Sequence, residues 1–297
     1  MKIGIALGGG IAKGFAHVGV LKALANAGVE CEIISGTSIG ALVGAAYAAG
    51  SLEKLEGAIT KIRRKDMPIL LSPTWPKRGF FSGKKVLDRL SEFIGVENIE
   101  DLKKTFAAVS VDINSSEIVT LTSGNLRQAV LASIAIPVIL NPVVVDDRLL
   151  VDGGMVEPLP VQAARSLGAD FVIAVDLYGE PPLRALDRAQ KKARNSQQKS
   201  AVGTALKKLS LREWSGSDKK DNRLKPSIIG IIERSLIAHQ RYLTEYRLKE
   251  CPADFVIKPD VSCVSIVDFH RAREIVEIGG RSVKEVLPAL IDKMDTG

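Results

Sequence analysis

The sequence predicts an α/β fold built on parallel strands. In the first fifty residues, short apolar runs (3–7 and 31–35) alternate with helical patterns (15–27 and 39–49), the order expected of strands joined by crossover helices. Both strand-to-helix junctions are marked by small residues, Gly8-Gly9-Gly10 at the first and Gly36-Thr37-Ser38-Ile39-Gly40 at the second. With 297 residues, 46% of them hydrophobic, the chain can bury a sizeable core in one domain.

Ile3 to Leu7 reads as a short buried strand. Gly8-Gly9-Gly10-Ile11-Ala12-Lys13-Gly14 follows, and Val18, Leu21, Leu24 and Ala25 then supply one apolar face of a helix. A strand, a glycine loop and a helix together make an anion-binding nest. The spacing argues against a nucleotide. The phosphate loop needs Lys and then a hydroxyl after its last Gly, whereas Lys13 precedes Gly14 and Phe15 follows it. The dinucleotide pattern G-x-G-x-x-G fails as well. Two uses stay open: an oxyanion hole built on the amides of this loop, or a tight βα turn without a ligand.

The second junction is more specific. Gly36-Thr37-Ser38-Ile39-Gly40 has the G-x-S-x-G form of a nucleophile elbow. The turn is so tight that the residues two before and two after the serine must be small, as Gly36 and Gly40 are. Ser38 would stand above the sheet beside the free N–H groups of a helix start, where developing negative charge is stabilised.

Beyond the elbow, residues 62–83 combine Pro68, Pro73 and Pro76 with Trp75, Phe80 and Phe81. This stretch reads either as the entrance to an acyl-chain groove or as a surface excursion. Further strands are expected at Phe106 to Val111, Ile118 to Leu121, Phe171 to Asp176 and Asp254 to Lys258. A hairpin is expected over Pro142 to Val151, turning at Asp146-Asp147-Arg148. Asp152-Gly153-Gly154 closes that hairpin, which places the Asp where a loop can present it or where it caps a turn. A long helical pattern runs from Ile228 to Arg247.

A serine nucleophile needs a base, most often His held by Asp. The chain has three histidines, His17, His239 and His270, and nothing around any of them marks a catalytic loop. Each reads better as a buried or surface residue, so a triad is open but not favoured.

Taken together, Leu7 to Gly14, Ala16 to Leu24, the elbow at Gly36–Gly40 and Asp152-Gly153-Gly154 resemble the patatin-like phospholipase family, its bacterial members most of all. Ala135-Ile136-Pro137, Asn141-Pro142, Glu157 to Val161, Gly168 to Asp170 and Ala253 to Asp260 fall in the same order. The resemblance covers nearly the whole chain except about 184–225. It implies a three-layer α/β/α fold with a mostly parallel central sheet, organised as a single domain over 1–297 with an insertion at about 184–225. It also implies a Ser–Asp dyad without a catalytic His, in which Ser38 is the nucleophile and Asp152 the base. Gly8, Gly9, Gly10 and Ile11 would provide the oxyanion hole, with Lys13, Gly14, Gly36, Gly40, Gly153 and Gly154 supporting the motifs. One position departs from the pattern: bacterial relatives usually carry a fourth glycine where this chain has Ile11. A positive φ there would strain a β-branched residue.

The activity implied is a serine acyl hydrolase acting on lipid or lysophospholipid esters through an acyl-enzyme, with no metal or other cofactor. An acyltransferase or thioesterase using the same dyad, and a catalytically weak adaptor, are the other two readings.

Charge adds a separate observation. Residues 184–225 hold 13 of the 41 Lys/Arg but only 4 of the 34 Asp/Glu, which is more than the chain's net +7, so the remainder is slightly acidic. Leu206, Leu209 and Trp214 lie among these cations, a combination suited to an anionic lipid surface. A solvated loop is the plain alternative. Nucleic acid is not expected as a partner, because interleaved aromatics and a recognised binding fold are both missing. Cys31, Cys251 and Cys263 are too few and too scattered for a disulfide frame or a metal cluster. Met1-Lys2 runs directly into the first strand and no apolar run reaches 18 residues, so a cytoplasmic protein is expected, with peripheral membrane contact through 184–225.

Overall fold

A computed structural model describes residues 1–66, 95–137, 139–179 and 228–296. The basic stretch 184–225 and the part of the 62–83 excursion beyond residue 66 lie outside the described residues. The chain divides into two compact units, one formed by Met1–Gly179 with Gln240–Gly297 and the other by Glu180–His239. The first unit carries the sheet and every candidate site residue.

Eight strands form one sheet: β1 (Ile3–Leu7), β2 (Ile33–Thr37), β3 (Thr105–Asp112), β4 (Ile118–Leu121), β5 (Val143–Val145), β6 (Arg148–Asp152), β7 (Phe171–Val175) and β8 (Phe255–Ile257). Their order is β5-β6-β3-β2-β1-β7-β8, with β4 also paired to β3. The β3-β2-β1-β7-β8 half is parallel, and the pairings of β4 with β3, β6 with β3 and β5 with β6 are antiparallel. The described helices are α1 (Ala16–Asn26), α2 (Ile39–Ala48), α3 (Leu52–Ile59), α4 (Leu126–Ile134), α5 (Val161–Ser166), α6 (Ile228–Glu250) and α7 (Ala272–Thr296). The sheet is thus mostly parallel with helices on both faces.

Strand alternation explains the layers. Along β1, Ile5 and Leu7 enter one cluster and Ala6 enters another. Along β7, Phe171, Ile173 and Val175 join the first cluster while Val172 and Ala174 join the second. The period of two puts large side chains on one face and small ones on the other. The large-residue face is covered by α1, α2, α4 and α7, through Leu21, Leu24, Val130, Ile275 and Leu290 among others. The small-residue face packs on α5 through Val161 and Ala164, with Leu248 at its margin. The turn after α5 comes so close that a Cβ on Gly4 would lie 2.6 Å from the Ala169 Cβ.

The register of β3 positions the site. Val109 pairs with Thr37 of β2 and also with Thr120 of β4; Ser110 pairs with Asp152 of β6 and also with Val119 of β4. A residue paired twice has its partners on opposite edges. The β2 and β6 strands therefore share one edge of β3, and the end of β2 meets the end of β6. Thr37 and Asp152 stand opposite consecutive β3 residues, although 115 positions separate them in sequence. The hairpin that delivers Asp152 turns at Asp146 and Asp147, both with positive φ (47° and 60°), as a two-residue type I′ turn requires.

Candidate active site

Ser38 occupies the apex between β2 and α2 with φ 56° and ψ −125°. Such a conformation costs a non-glycine residue on the order of 1–3 kcal/mol and persists only where its surroundings enforce it. The surroundings do so here. A Cβ on Gly36 would lie 2.5 Å from the backbone of Ala41, and one on Gly40 would run into the Leu7 carbonyl. On the far side, the Ser38 N–H donates to Ser133 Oγ at 2.9 Å, and the Ser133 hydroxyl donates to the Val109 carbonyl at 2.6 Å. Thr37 Oγ1 donates to the Glu157 carbonyl at 2.8 Å and ties the elbow to the segment after Asp152.

The Ser38 side chain neighbours the Asp152 carboxylate and favours its charged form. Asp152 accepts from the Gly154 N–H at 2.7 Å, and its own N–H is held by the Ala135 carbonyl at 3.0 Å. Burial pushes the Asp152 carboxyl up to about 6, and Ser38 and the Gly154 hydrogen bond pull the other way without cancelling it. Only 5% of Asp152 is exposed, so desolvation of the charge is the dominant effect. No imidazole hydrogen-bonds to either residue among the described residues. His17 is fully buried on α1, and its Nε2 lies 2.8 Å from the Gly8 carbonyl. Burial holds it neutral, with a pKa pulled down to about 4. It fixes the glycine loop and does not reach the serine.

The loop itself differs in part from the expectation. The Gly8 N–H donates to the Val175 carbonyl at 3.3 Å and the Gly9 N–H to the Pro158 carbonyl at 3.0 Å. An amide already bonded within the fold is not free for an oxyanion, so Gly8 and Gly9 are corrected as donors. The N–H groups of Gly10 and Ile11 make no backbone hydrogen bond among the described residues. Gly9 has another use: a Cβ there would stand 3.7 Å from the Ser38 Cβ, so its bare Cα leaves space directly over the serine. Ile11 has φ 50°, the left-handed geometry that the sequence pattern raised as the concern for this position. Lys13 is buried, with its ammonium 5.7 Å from the Tyr178 ring centroid. Gly14 lies against Ile39, where a Cβ would collide with the side chain, and Gly153 lies against the Val109 carbonyl.

The model of the patatin-like phospholipase family matches residues 5–165, a span that holds both Ser38 and Asp152. The chain belongs to the patatin-like phospholipase family.

This patatin-like phospholipase is 29% identical to an NTE family protein of Mycobacterium tuberculosis, over 97% of this chain and 92% of that one. It is 29% identical to the lysophospholipase NTE1 of Coccidioides immitis, over 97% of this chain but 18% of that protein. With patatin-like phospholipase domain-containing protein 7 of Mus musculus it shares 39% identity over 59% of this chain and 13% of the mouse protein. Membership makes the chain a lipid ester hydrolase. Among the described residues, no group of three or more His, Cys, Asp or Glu is arranged to hold a metal, and no helix is long and apolar enough to cross a membrane.

Two residues of this patatin-like site escape a reading of the sequence. Ser133 lies on α4 inside Leu131-Ala132-Ser133-Ile134 and looks like any small core residue. Gln240 lies on α6, and its Nε2 donates to the Gly154 carbonyl at 2.6 Å. No local pattern marks either one, because their partners are set by tertiary packing.

Proposed function

We propose that this phospholipase cleaves the acyl ester of lysophospholipids and related lipid esters with a two-residue catalyst, Ser38 and Asp152. The observation that carries the reading is the meeting of Ser38, just past the end of β2, with the buried Asp152 carboxylate at the end of β6, whose pKa is pushed up to about 6. At neutral pH such a carboxylate is mostly ionised, yet it is a stronger base than an ordinary Asp. The lysophospholipase name of the fungal relative supports the substrate class.

Asp152 takes the Ser38 proton as the serine oxygen attacks the ester carbonyl. The carbonyl oxygen becomes an oxyanion, and we assign its donors to the N–H groups of Gly10 and Ile11, supported by the N-terminal end of α2. Collapse expels the alcohol, which takes the proton back from Asp152 and leaves an acyl group on Ser38. Water then attacks with Asp152 again as base, releasing the fatty acid.

The test is a fluorophosphonate probe, which phosphonylates an activated serine, combined with hydrolysis of a lysophosphatidylcholine. The wild type is expected to be labelled at Ser38 and to release fatty acid; S38A is expected to do neither while melting normally. Labelling or turnover by S38A would overturn the assignment. An added short alcohol separates the acyltransferase reading, which predicts that acyl ester product replaces fatty acid.

A further inference from the structure

Gln240 has an unspent acceptor beside the space over Gly9, next to Ser38. It is 6% exposed and lies in the part of α6 that belongs to the sheet-bearing unit. Its Nε2 is committed to the Gly154 carbonyl at 2.6 Å. That bond also fixes which end of the amide is oxygen, since the reverse orientation would set two acceptors against each other. Its Oε1 is buried with no hydrogen-bond partner among the described residues. The atom lies 3.5 Å from the point where a Cβ on Gly9 would stand, and that point is 3.7 Å from the Ser38 Cβ. Oε1 and the Ser38 side chain therefore flank the same space over Gly9. A buried carbonyl without a donor carries a desolvation penalty and is relieved by any donor that enters.

We propose that Gln240 Oε1 orients the water that hydrolyses the acyl-enzyme, which makes Gln240 a specific aid to the second half of the reaction. The inference rests on the Ser38–Asp152 reading. Water brings two protons to this space. One passes to Asp152 as the oxygen attacks the acyl carbon. The other stays on that oxygen and is held by Gln240 Oε1, which aims the lone pair at the carbon. Collapse breaks the acyl–Ser38 bond, Asp152 returns its proton to the serine oxygen, and the remaining proton leaves on the carboxylic acid product. Bonds and protons balance with no further reactant. During acylation the attacking atom is the serine itself, so this acceptor has no equivalent duty. The amide's other end supports both steps alike, because it holds Gly154, whose N–H holds Asp152.

The two duties separate kinetically. The full-length enzyme is mixed with p-nitrophenyl butyrate, the nitrophenolate burst is followed by stopped flow, and quenched samples are mapped for acyl-Ser38 by mass spectrometry. Q240M has a side chain of similar length but no acceptor. It loses the Gly154 support as well, which slows both phases alike, so it is expected to lose at least about tenfold more in steady-state turnover than in burst rate and to accumulate acyl-Ser38. Q240E keeps an oxygen at the acceptor position and is expected not to accumulate the adduct. Should Q240M lose its cooperative melt, Q240N, which withdraws the amide by one methylene, carries the same expectation of accumulation. Equal losses in burst and steady state, or no accumulation in the acceptor-less variants, would overturn the proposal and leave Gln240 as a support for Gly154. A burst that persists in S38A would instead overturn the underlying dyad, so the two failures are distinguishable.

Discussion

Besides the strained Ser38, Asp152 and Ile11 carry unfavourable burial or strain that the fold alone does not need. Asp152 is the clearer case. Raising its pKa from the ordinary 3.8 to about 6 means that the charged form is disfavoured in the folded state by roughly 3 kcal/mol. Below about pH 4 both states are protonated and nothing is lost. As pH rises from about 4 to about 6 the unfolded chain ionises first, so stability falls, and the full cost applies above 6. The D152N variant removes the charge and keeps the shape, so it is expected to gain about 1–3 kcal/mol at pH 7, read from chemical denaturation. Ile11 is the second case. A left-handed β-branched residue costs on the order of 1–2 kcal/mol, and I11G relieves it against some lost burial and a looser unfolded chain. A net gain of roughly 0.5–1 kcal/mol, seen as a higher Tm, is expected. A lower Tm would mean that the Ile11 side chain contributes more than its backbone costs. The concern about Ile11 was legible because one substitution in a glycine run has a known stereochemical meaning. Ser133 and Gln240 were not legible, because a serine and a glutamine inside helices carry no local signal of what they will touch.

At the scale of elements, the readable parts are those whose pattern is local. The strand at Ile3–Leu7, the elbow, the 143–152 hairpin and the helical pattern of α6 follow from apolar periodicity and turn residues within a few positions. The second strand lies two residues later than its apolar run, at Ile33–Thr37, since pairing with β1 and β3 carries it through Gly36. The first helical stretch opens as a 3-10 turn over Ile11–Phe15, the short tighter coil frequent at helix N-termini. The packing of α1 on α7 was not readable: it depends on Gly19 and Gly279, residues 260 positions apart. A Cβ on Gly19 would run into the Val276 carbonyl, and one on Gly279 into the Ala16 carbonyl. The helices meet backbone to backbone, so G279A is expected to force them apart at a cost of about 1–3 kcal/mol, visible as a lower Tm. An unchanged Tm would show that the two helices can separate freely.

For the whole molecule, the antiparallel patch within a mostly parallel sheet explains how a hydroxyl near the start of the chain meets a carboxylate far along it. Parallel strands alone would present their ends at one edge, whereas the β6 return brings Asp152 back along β3 to where β2 stops. Motif order in the sequence indicated that Ser38 and Asp152 belong together; the sheet register supplies the physical reason. Charge asymmetry is the other molecular feature. The excess of cations sits in 184–225, with Leu206, Leu209 and Trp214 among them, so we propose that the enzyme visits anionic membrane through this stretch. Binding to phosphatidylglycerol vesicles is expected to weaken steeply as salt rises from 50 to about 500 mM, because the Debye length shortens to a few ångströms. A variant lacking 184–225 that binds the vesicles as well as the wild type would refute it.

The most direct measurement is ester turnover by wild type and D152N across pH 4.5 to 8, with the fold of each confirmed by melting. The wild-type rate is expected to fall on the acid side with a midpoint near 6, where Asp152 takes up a proton. D152N is expected to be at least about 10²–10³-fold slower at every pH while folded at least as stably. Turnover by folded D152N close to the wild-type rate would contradict the two-residue catalyst.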